Sequence, residues 1–479
     1  MLKSKKKEKK DSDKISFYQI LKKSWPCFGS YLSYAFTLTV LYVNLIIISK
    51  IIWPSDAFAS HSSELGFLFG ISSYVMAFSG LIFGRLADTL SRVKLFAFST
   101  LFFGLGFIIN GFAPEGLETI TYLFFLISTL IRGFFSGGFW PLINSYISDT
   151  SLEEEKSQFF GVLNSLFQLF QLTGMIIVAI LFQFGFWRFY FLFIGSIIMI
   201  IGIIIFKANE PKRASTREEL VDIIGKNGVK YEYKLNKETL KETILKPTNI
   251  IAFAEGIFTT ILLSVPDFLL VAYIQSPPHN LSSTSTALFM MIFGIPGSIF
   301  GSIVFAKLSD KLAKRNIKNR IYMIIISMIG LFIIFIIVFI LPLPSFTPEE
   351  GNNMLNLLTF PVFWSMGLAA FGARSILGLY NINQPPLLQR INLPEAQGLI
   401  SSVNQFLESI GYGTGTILAG VLLAFFNNNY QITVILTMTI GIIGVFLWIT
   451  STKWIEEDAL RISNILQDRG NEISSKNKS

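Results

Sequence analysis

The sequence predicts an all-α membrane protein with twelve transmembrane helices in two pseudo-symmetric six-helix halves around a central cavity. Hydrophobic residues make up 52% of the 479 residues and charged residues only 15%, and the mean hydropathy is +0.56. A soluble domain of this length carries far more charge. Twelve apolar stretches reach the roughly 18 residues that a membrane-spanning helix needs, and one short loop sequence occurs in both halves.

The apolar stretches set the expected domain boundaries. A basic tail, 1–27, precedes the first six-helix bundle, 28–206, and a polar segment, 207–249, is expected to form a cytoplasmic linker with short surface helices. The second six-helix bundle, 250–451, is followed by a polar tail, 452–479. The expected spans are 28–53, 65–87, 95–112, 120–147, 159–184 and 189–206 in the first half, and 250–274, 287–308, 321–341, 360–388, 398–425 and 432–449 in the second.

The distribution of Lys and Arg predicts how the chain lies in the membrane. The alternate connections hold nearly all of the basic residues, and basic loops stay in the cytoplasm. Both termini are therefore expected on the cytoplasmic side, with the cell membrane as the expected location. The net charge of +8 is explained by this topology and by contact with anionic membrane lipids, and it does not indicate a nucleic-acid partner. The connections without Lys or Arg are 54–64, 113–119, 275–286, 342–359 and 427–431.

Composition excludes several kinds of chemistry. Cys27 is the only cysteine, and the two histidines, His61 and His279, fall in expected outer loops. The sequence thus predicts neither a metal site nor His-based catalysis. A phosphate-binding loop with Walker A spacing is missing as well. We therefore expect no cofactor, no enzymatic activity and no ATP-driven step, so that gradients supply any driving energy.

The repeated loop is the most specific motif in the chain. Its first copy, residues 84–94, reads GRLADTLSRVK, and its second, residues 306–315, reads AKLSDKLAKR. Each copy follows an apolar span, places a small residue four positions before an Asp, and then becomes basic. Together with twelve spans and a central linker, this pattern resembles the signature loop of the major facilitator superfamily.

The resemblance implies a cytoplasmic gate at this loop. Gly84 would let two helices approach each other, and Asp88 would face the amino end of span eleven near residues 394–395, where the helix dipole favours an anion. The other expected gate residues are Arg92, Lys94, Asp310, Lys311, Lys314 and Arg315. The departures from the family pattern are Thr89, Ser91 and Ala306.

Two spans carry further family features. Residues 132–141 of span four read RGFFSGGFWP, which resembles the Arg- and Gly-rich fourth helix of the superfamily. Span ten carries Arg374, Gly378 and Pro385 at similar spacing. The stretch 393–415 resembles the spinster-type and related multi-substrate branches, although the Glu of a spinster-type fourth span is absent. The Gly-Pro-Gly pattern of drug/proton antiporters is missing from span five.

Charged residues on the cavity helices are the strongest candidates for solute binding. The resemblance implies that spans one, four, seven and ten line the cavity. Arg132 and Arg374 lie about 18–21 Å from the outer ends of their spans at 1.5 Å per residue, a depth at which charges are costly and usually functional. We expect them to clamp an anion, because guanidinium binds carboxylate or phosphate as a fork; the alternative is that each pairs with a neighbouring carboxylate or carbonyl. Further expected solute contacts are Tyr34, Asn44, Trp140 and Asn381.

Three acids complete the expected site. Asp267 in the outer part of span seven and Glu408, roughly 15 Å into span eleven, are the candidate coupling residues for protons. Asp267 is preferred because it lies on a cavity helix beside Pro266; the alternative is a fixed polar cap near the outer surface. Glu408 is alternatively a fixed partner of Arg374. Glu255 is expected to be a gate or surface charge.

These features predict a secondary transporter that moves a small organic solute, anionic or amphiphilic, by alternating access. Protons are the candidate coupling ion, and uniport, exchange and sodium-driven transport are the alternatives. A drug or lipid exporter of the same fold remains an alternative that the 48 Phe residues favour and the missing span-five pattern disfavours. A non-transporting receptor or scaffold is a second alternative, and it would need no charged residues near mid-membrane on cavity helices.

Overall fold

The computed structural model of this chain describes residues 17–150, 153–210, 245–393 and 396–476. Within these ranges the chain is helical and contains no β-strand. Eleven helices are long and apolar enough to cross a membrane, and a helix pair bent by 68°, Trp25–Val43 and Leu45–Ile52, makes a twelfth span when it is counted as one. The predicted fold class, twelve helices in two halves, is confirmed.

The helices follow the expected spans, with breaks inside four of them. In the first half they are Phe17–Thr37, Val40–Val43 and Leu45–Ile52 in span one, Ser62–Thr89 in span two, Arg92–Gly111 in span three, Thr119–Ser136 and Phe139–Thr150 in span four, Glu153–Gln183 in span five and Trp187–Ile205 in span six. In the second half they are Pro247–Gln275 in span seven, Ser283–Phe289, Met290–Gly294 and Ile295–Ala313 in span eight, Lys318–Ile340 in span nine, Pro361–Arg390 in span ten, Gln397–Phe425 in span eleven, and Tyr430–Gly441 and Ile443–Ser451 in span twelve.

Local side-chain chemistry explains two of the breaks. In span one, the Thr37 hydroxyl donates to the carbonyls of Ser33 and Tyr34, and the Asn44 amide donates to the carbonyl of Val40. Such side-chain bonds to backbone carbonyls bend helices. In span eight, a π-helical turn at Met290–Gly294 comes directly before Pro296, whose missing N–H disturbs the regular bonding.

Glycines bring spans two and eleven into backbone contact at the end of the molecule where the connections 54–64 and 275–286 lack Lys and Arg. A Cβ on Gly70 would lie 2.5 Å from the carbonyl oxygen of Gly413, and one on Gly420 would lie 2.3 Å from that of Ser62. The Ser62 hydroxyl donates to the Gly420 carbonyl at 2.9 Å. Small residues let membrane helices approach in this way, and the contact joins the two halves.

Polar side chains close the same end beside the glycine contact. The Gln275 amide of span seven donates to the Val43 carbonyl of span one at 2.9 Å. Gln183, at the end of span five, donates to Asn352 and accepts from the backbone N–H of Thr284 at 3.2 Å. Each of these bonds links the first half to the second, so this end of the molecule is closed.

The opposite, basic end is open. Gln405 of span eleven is exposed there, Ser409 is half-buried, and both line the central cavity. A Cβ on Gly84 would meet no atom within 4 Å. The close helix approach that the resemblance implied at Gly84 is therefore absent in this conformation, because the basic ends of the two halves stand apart.

The C-terminal helix packs against the basic end of the second half. In the C-terminal helix, Ile455–Lys476, Asp458 accepts a hydrogen bond from the Thr248 hydroxyl and lies 3.9 Å from the ammonium of Lys246. Glu456 binds the ammonium of Lys318 at 2.8 Å, and that hydrogen bond lowers the pKa of Glu456. The C-terminal helix is thus bonded to the beginnings of spans seven and nine.

We predict the orientation from the Lys and Arg distribution. In a Cys27→Ser background, a cysteine replacing the exposed Asn353 should react with a membrane-impermeant maleimide in intact cells, because its connection carries no basic residue. One replacing the exposed Ser463 of the C-terminal helix should react only after permeabilisation. Labelling of Ser463→Cys but not Asn353→Cys in intact cells would contradict this orientation.

We predict that Gly420→Ala opens the closed end. The added methyl meets the Ser62 backbone, and overpacking of this kind costs about 1–3 kcal/mol, which changes a two-state equilibrium roughly 5- to 150-fold. Labelling of Ser73→Cys, a buried cavity position, from outside intact cells should rise accordingly. Gly84→Ala is the matched control and should leave it unchanged in this conformation; equal labelling in both variants would refute the role of the contact.

Candidate functional site

A cavity of about 780 Å³ lies between the two halves. Residues from spans one to five and seven to eleven line it, so both halves contribute to one chamber. Most of its wall is apolar or aromatic, and its charged groups are few. The apolar wall includes Phe69, Met76, Phe103, Leu270, Met290 and Phe335. Such a chamber suits an organic molecule with a substantial apolar body.

Arg132 is a buried cation on the first-half side of the cavity. Its side chain is only 8% exposed, one terminal nitrogen donates to the Thr129 hydroxyl at 3.2 Å, and the guanidinium carbon lies 4.7 Å from the centre of the Phe107 ring. The Nε atom has no hydrogen-bond partner. Within the described residues no carboxylate pairs with Arg132, so its charge is left to a cation–π contact and a hydroxyl.

The packing of span three explains the position of Arg132. A Cβ on Gly106 would lie 2.5 Å from the Arg132 Cγ, so the glycine leaves the space through which the side chain passes. Ser128, one turn earlier on the same face, donates to the Gly106 carbonyl at 2.7 Å. The polar face of span four therefore packs against span three at its outer end and reaches the cavity only from Thr129 onward.

Arg374 differs from Arg132 because it is paired. It donates to the Asp267 carboxylate at 2.8 Å, and the second oxygen of Asp267 accepts from the Tyr412 hydroxyl at 3.2 Å. The two charged side chains are 36% and 28% exposed, toward the cavity. Arg374 was expected either to clamp an anionic solute or to pair with a neighbouring carboxylate. In the structure it pairs with a carboxylate, that of Asp267. Asp267 consequently is not a polar cap at the outer surface, and Glu408 is not the partner of Arg374.

Glu408 lines the cavity on span eleven and has neutral partners. One carboxylate oxygen accepts from the Asn404 amide at 2.7 Å and from the Gln384 amide at 2.9 Å. Asn404 lies one helical turn before Glu408, and Gln384 belongs to span ten. The acid is thus held in place by two amides that carry no charge.

Glu255 is fully buried, so its expected position as a gate or surface charge is wrong. It accepts hydrogen bonds from the Thr259 hydroxyl and from the Tyr380 hydroxyl, the latter at 3.3 and 3.4 Å from its two oxygens. The apolar core around Met328 and Trp448 encloses this site. A count of residues from the end of span seven could not reveal that neighbouring spans cover the acid.

Of the four other expected solute contacts, only Tyr34 lies in the cavity wall. Tyr34 lines the cavity and stacks on Phe139 with ring centres 5.2 Å apart. Asn44 is fully buried and bonded to its own helix, whereas Trp140 and Asn381 are exposed, and all three lie outside the lining of this cavity. The structure therefore does not bring these three residues to the cavity.

The expected gate residues lie at the basic end. Lys94, Lys311, Lys314 and Arg315 are exposed there, while Arg92 is buried with its backbone N–H bonded to the Glu210 carboxylate at 3.0 Å. Glu210 also accepts from the N–H of Val93 and from the Ser91 hydroxyl, so it caps the amino end of span three. The side chains of Asp88 and Asp310, and residues 394–395, lie outside the part of the chain whose side chains are described.

Sequence reasoning missed several residues of the site. Tyr412, which lies within hydrogen-bonding reach of Tyr42 of span one, completes the Asp267 network. The four-residue spacing of Asn404 and Glu408 could have predicted their contact, because residues one helical turn apart lie next to each other. Phe107 gave none, because an aromatic residue in a Phe-rich span looks like ordinary packing.

The Major Facilitator Superfamily model matches residues 27–382. The chain belongs to the Major Facilitator Superfamily. Its members are membrane transporters, and the cavity between two six-helix halves is the site that this superfamily fold provides.

Comparison with individual members gives distant similarity over nearly the whole chain. A probable sugar efflux transporter of Helicobacter pylori is 20% identical over 442 residues, which cover 91% of this chain and 97% of that protein. Multidrug resistance protein 3 of Bacillus subtilis is 22% identical over 399 residues, 73% of this chain and 71% of that protein. The solved structure of a bacterial homologue of the human lysosomal transporter Spinster, inward-facing and occupied, matches with a TM-score of 0.67 and 14% identity over 92% of this chain and 97% of that one.

Proposed function

We propose that this superfamily member is a secondary transporter for a small amphiphilic organic anion, working by alternating access in the cell membrane with both termini in the cytoplasm. The observation that carries the proposal is Arg132, a buried cation that lines the cavity and pairs with no carboxylate among the described residues. A buried, unpaired charge is costly inside a membrane protein. A carboxylate, phosphate or sulfonate on the solute would neutralise it.

The shape and chemistry of the cavity support an amphiphile. Phe103 lies in the wall beside Arg132, and the rest of the wall is mostly apolar. A solute with an anionic head at Arg132 and an apolar body against these side chains would satisfy both parts. A sugar, with hydroxyls on every side, would leave many of its polar groups unpaired in such a chamber.

Export of an apolar drug or lipid remains the second candidate. The apolar lining favours it, and one of the distant relatives carries a multidrug resistance name. A neutral drug, however, would leave Arg132 without a counter-charge. The charged residues in the cavity also argue against a receptor or scaffold that moves nothing.

The Arg374–Asp267 pair is a second place where an anionic solute would bind. Asp267 already occupies Arg374 at 2.8 Å, so an anionic group that reaches Arg374 has to compete with Asp267. We therefore assign Asp267 as the group that the solute displaces. Glu408, which has neutral partners, is the better candidate for carrying a coupling proton. This reverses the preference for Asp267 that was based on the sequence.

We predict that Arg132 determines the affinity for anionic ligands. Purified protein should show thermal stabilisation by members of a panel of alkyl carboxylates, phosphates and sulfonates. Arg132→Ala should weaken binding about 10- to 100-fold, since hydrogen bonds to charged groups contribute about 1.5–3 kcal/mol. Arg132→Lys should recover only part of it because the fork is lost.

The matched control for this experiment is Arg390→Ala, which removes an exposed arginine from the same protein and should leave affinity unchanged. Wild-type affinity in Arg132→Ala would refute the anion site. Stabilisation by neutral members of the panel alone would refute it as well and would favour the drug-exporter alternative.

We predict that Asp267→Asn frees Arg374 for the ligand. Without ligand the variant should melt at a lower temperature, because Arg374 loses its carboxylate partner. Anionic ligands should then bind more tightly and raise the melting temperature by a larger interval than in the wild type. The control is Glu349→Gln, at an exposed outer-loop position. Ligand affinity that is unchanged or weaker in Asp267→Asn would show that Asp267 does not compete with the solute.

A further inference from the structure

Two acids meet at the interface between spans seven and eleven, away from both arginines. Glu255 has no exposed surface. Gly256, the next residue along span seven, faces Glu408: a Cβ there would lie 3.1 Å from the Glu408 Cγ and 3.8 Å from its carboxylate oxygen. The glycine therefore allows Glu408 to rest against span seven next to Glu255, with Tyr380 of span ten within electrostatic reach of both acids.

The groups around Glu255 carry no positive charge. From its own span it meets Thr259, from span nine Met328 through Thr259, from span ten Tyr380, and from span twelve Trp448. Span eleven contributes Glu408, which is a second acid. No ion pair involves either Glu255 or Glu408 among the residues that the structure describes. Two ionised carboxylates without a cation in a water-poor interior repel each other and lose their hydration.

Glu408 gives this buried site a route to water. It lines the cavity, whereas Glu255 lies behind it in the core between spans seven, nine, ten and twelve. The neighbouring Gln405 is exposed at the open end. A proton from cavity water can thus reach the Glu408 carboxylate without crossing the apolar wall.

We propose that Glu255 and Glu408 form a carboxyl pair that binds one exchangeable proton, taken from and returned to cavity water through Glu408. Only a proton moves: it leaves hydronium, binds one carboxylate oxygen of the pair, and returns to water when the cavity changes state. The pair makes the proton the coupling ion and places Glu255 in its binding site. Its role in transport rests on the function proposed above.

The position of the pair connects proton binding to the helix that closes the cavity. Glu408 belongs to span eleven, and the same helix holds Gly413 and Gly420 in contact with span two at the closed end. A change of charge at Glu408 therefore acts on the helix whose outer part closes the cavity. Thr259 and Tyr380 donate hydrogen bonds to Glu255 and hold its carboxyl group in place within the core.

Infrared spectroscopy tests the pair without any solute. Purified full-length protein in nanodiscs should show the carbonyl stretching band of a protonated carboxyl at about pH 7, where exposed Asp and Glu are ionised. Glu255→Gln and Glu408→Gln should each remove or markedly shift this band. Glu349→Gln, at an exposed outer position, is the matched control and should retain it.

Each outcome decides the proposal. A wild-type spectrum without the band at about pH 7 would overturn it, as would a band that persists unchanged in both Glu255→Gln and Glu408→Gln. A band lost only in Asp267→Asn would overturn it too, by placing the proton on the acid next to Arg374. If one Gln variant does not fold, the other variant and the wild-type spectrum still decide.

The same measurement separates this proposal from the anion site. Arg132→Ala should retain the carboxyl band even if it abolishes binding of the anionic panel. Failure of the anion proposal would leave the band in place, and failure of the carboxyl pair would leave the dependence of ligand affinity on Arg132 in place.

Discussion

The cost of placing charge in a water-poor interior is the constraint on which the rest of this site depends. Arg374 satisfies it by binding Asp267, a pair that carries no net charge. Arg132 has a hydroxyl and an aromatic ring in place of a carboxylate. Glu255 and Glu408 have neutral donors in place of a cation. The unsatisfied positive charge therefore belongs to the first half of the chain, and the unsatisfied acids belong to the second.

Backbone contact between helices sets where the cavity is closed. Span two carries Gly70 at the closed end and Gly84 near the open end, and only Gly70 meets a backbone across the interface. Span two thus contacts span eleven through backbone atoms at the closed end, whereas its Gly84 makes no such contact near the open end. Because Gly413 and Gly420 contact span two directly, closure is specific to backbone shape and tolerates no side chain there.

Hydropathy and charge were sufficient to predict the spans and their division into halves, because the bilayer imposes length and composition on every crossing helix. The partners of individual side chains were harder to predict. Glu408 was a candidate partner for Arg374, yet Asp267 binds it, since helix rotation and not depth along the span decides which side chains meet. Glu255 was mistaken for a surface charge because its depth was counted along one span, whereas burial depends on the spans packed around it. Asn44 looked like a solute contact but instead bonds its own helix where span one breaks.

The Asp267 network connects the solute site to both halves. Arg374, Asp267 and Tyr412 belong to the second half, and Tyr412 lies within hydrogen-bonding reach of Tyr42 in the first. A ligand shifts a conformational equilibrium only by binding the two states with different affinity. Under the proposed function, an anion that bridged Arg132 and Arg374 would meet this condition, because it would contact both halves and release Asp267 from Arg374. The released carboxylate would keep Tyr412 as its hydrogen-bond donor, and Tyr42, within reach of Tyr412, would connect that change to the opposite half of the molecule.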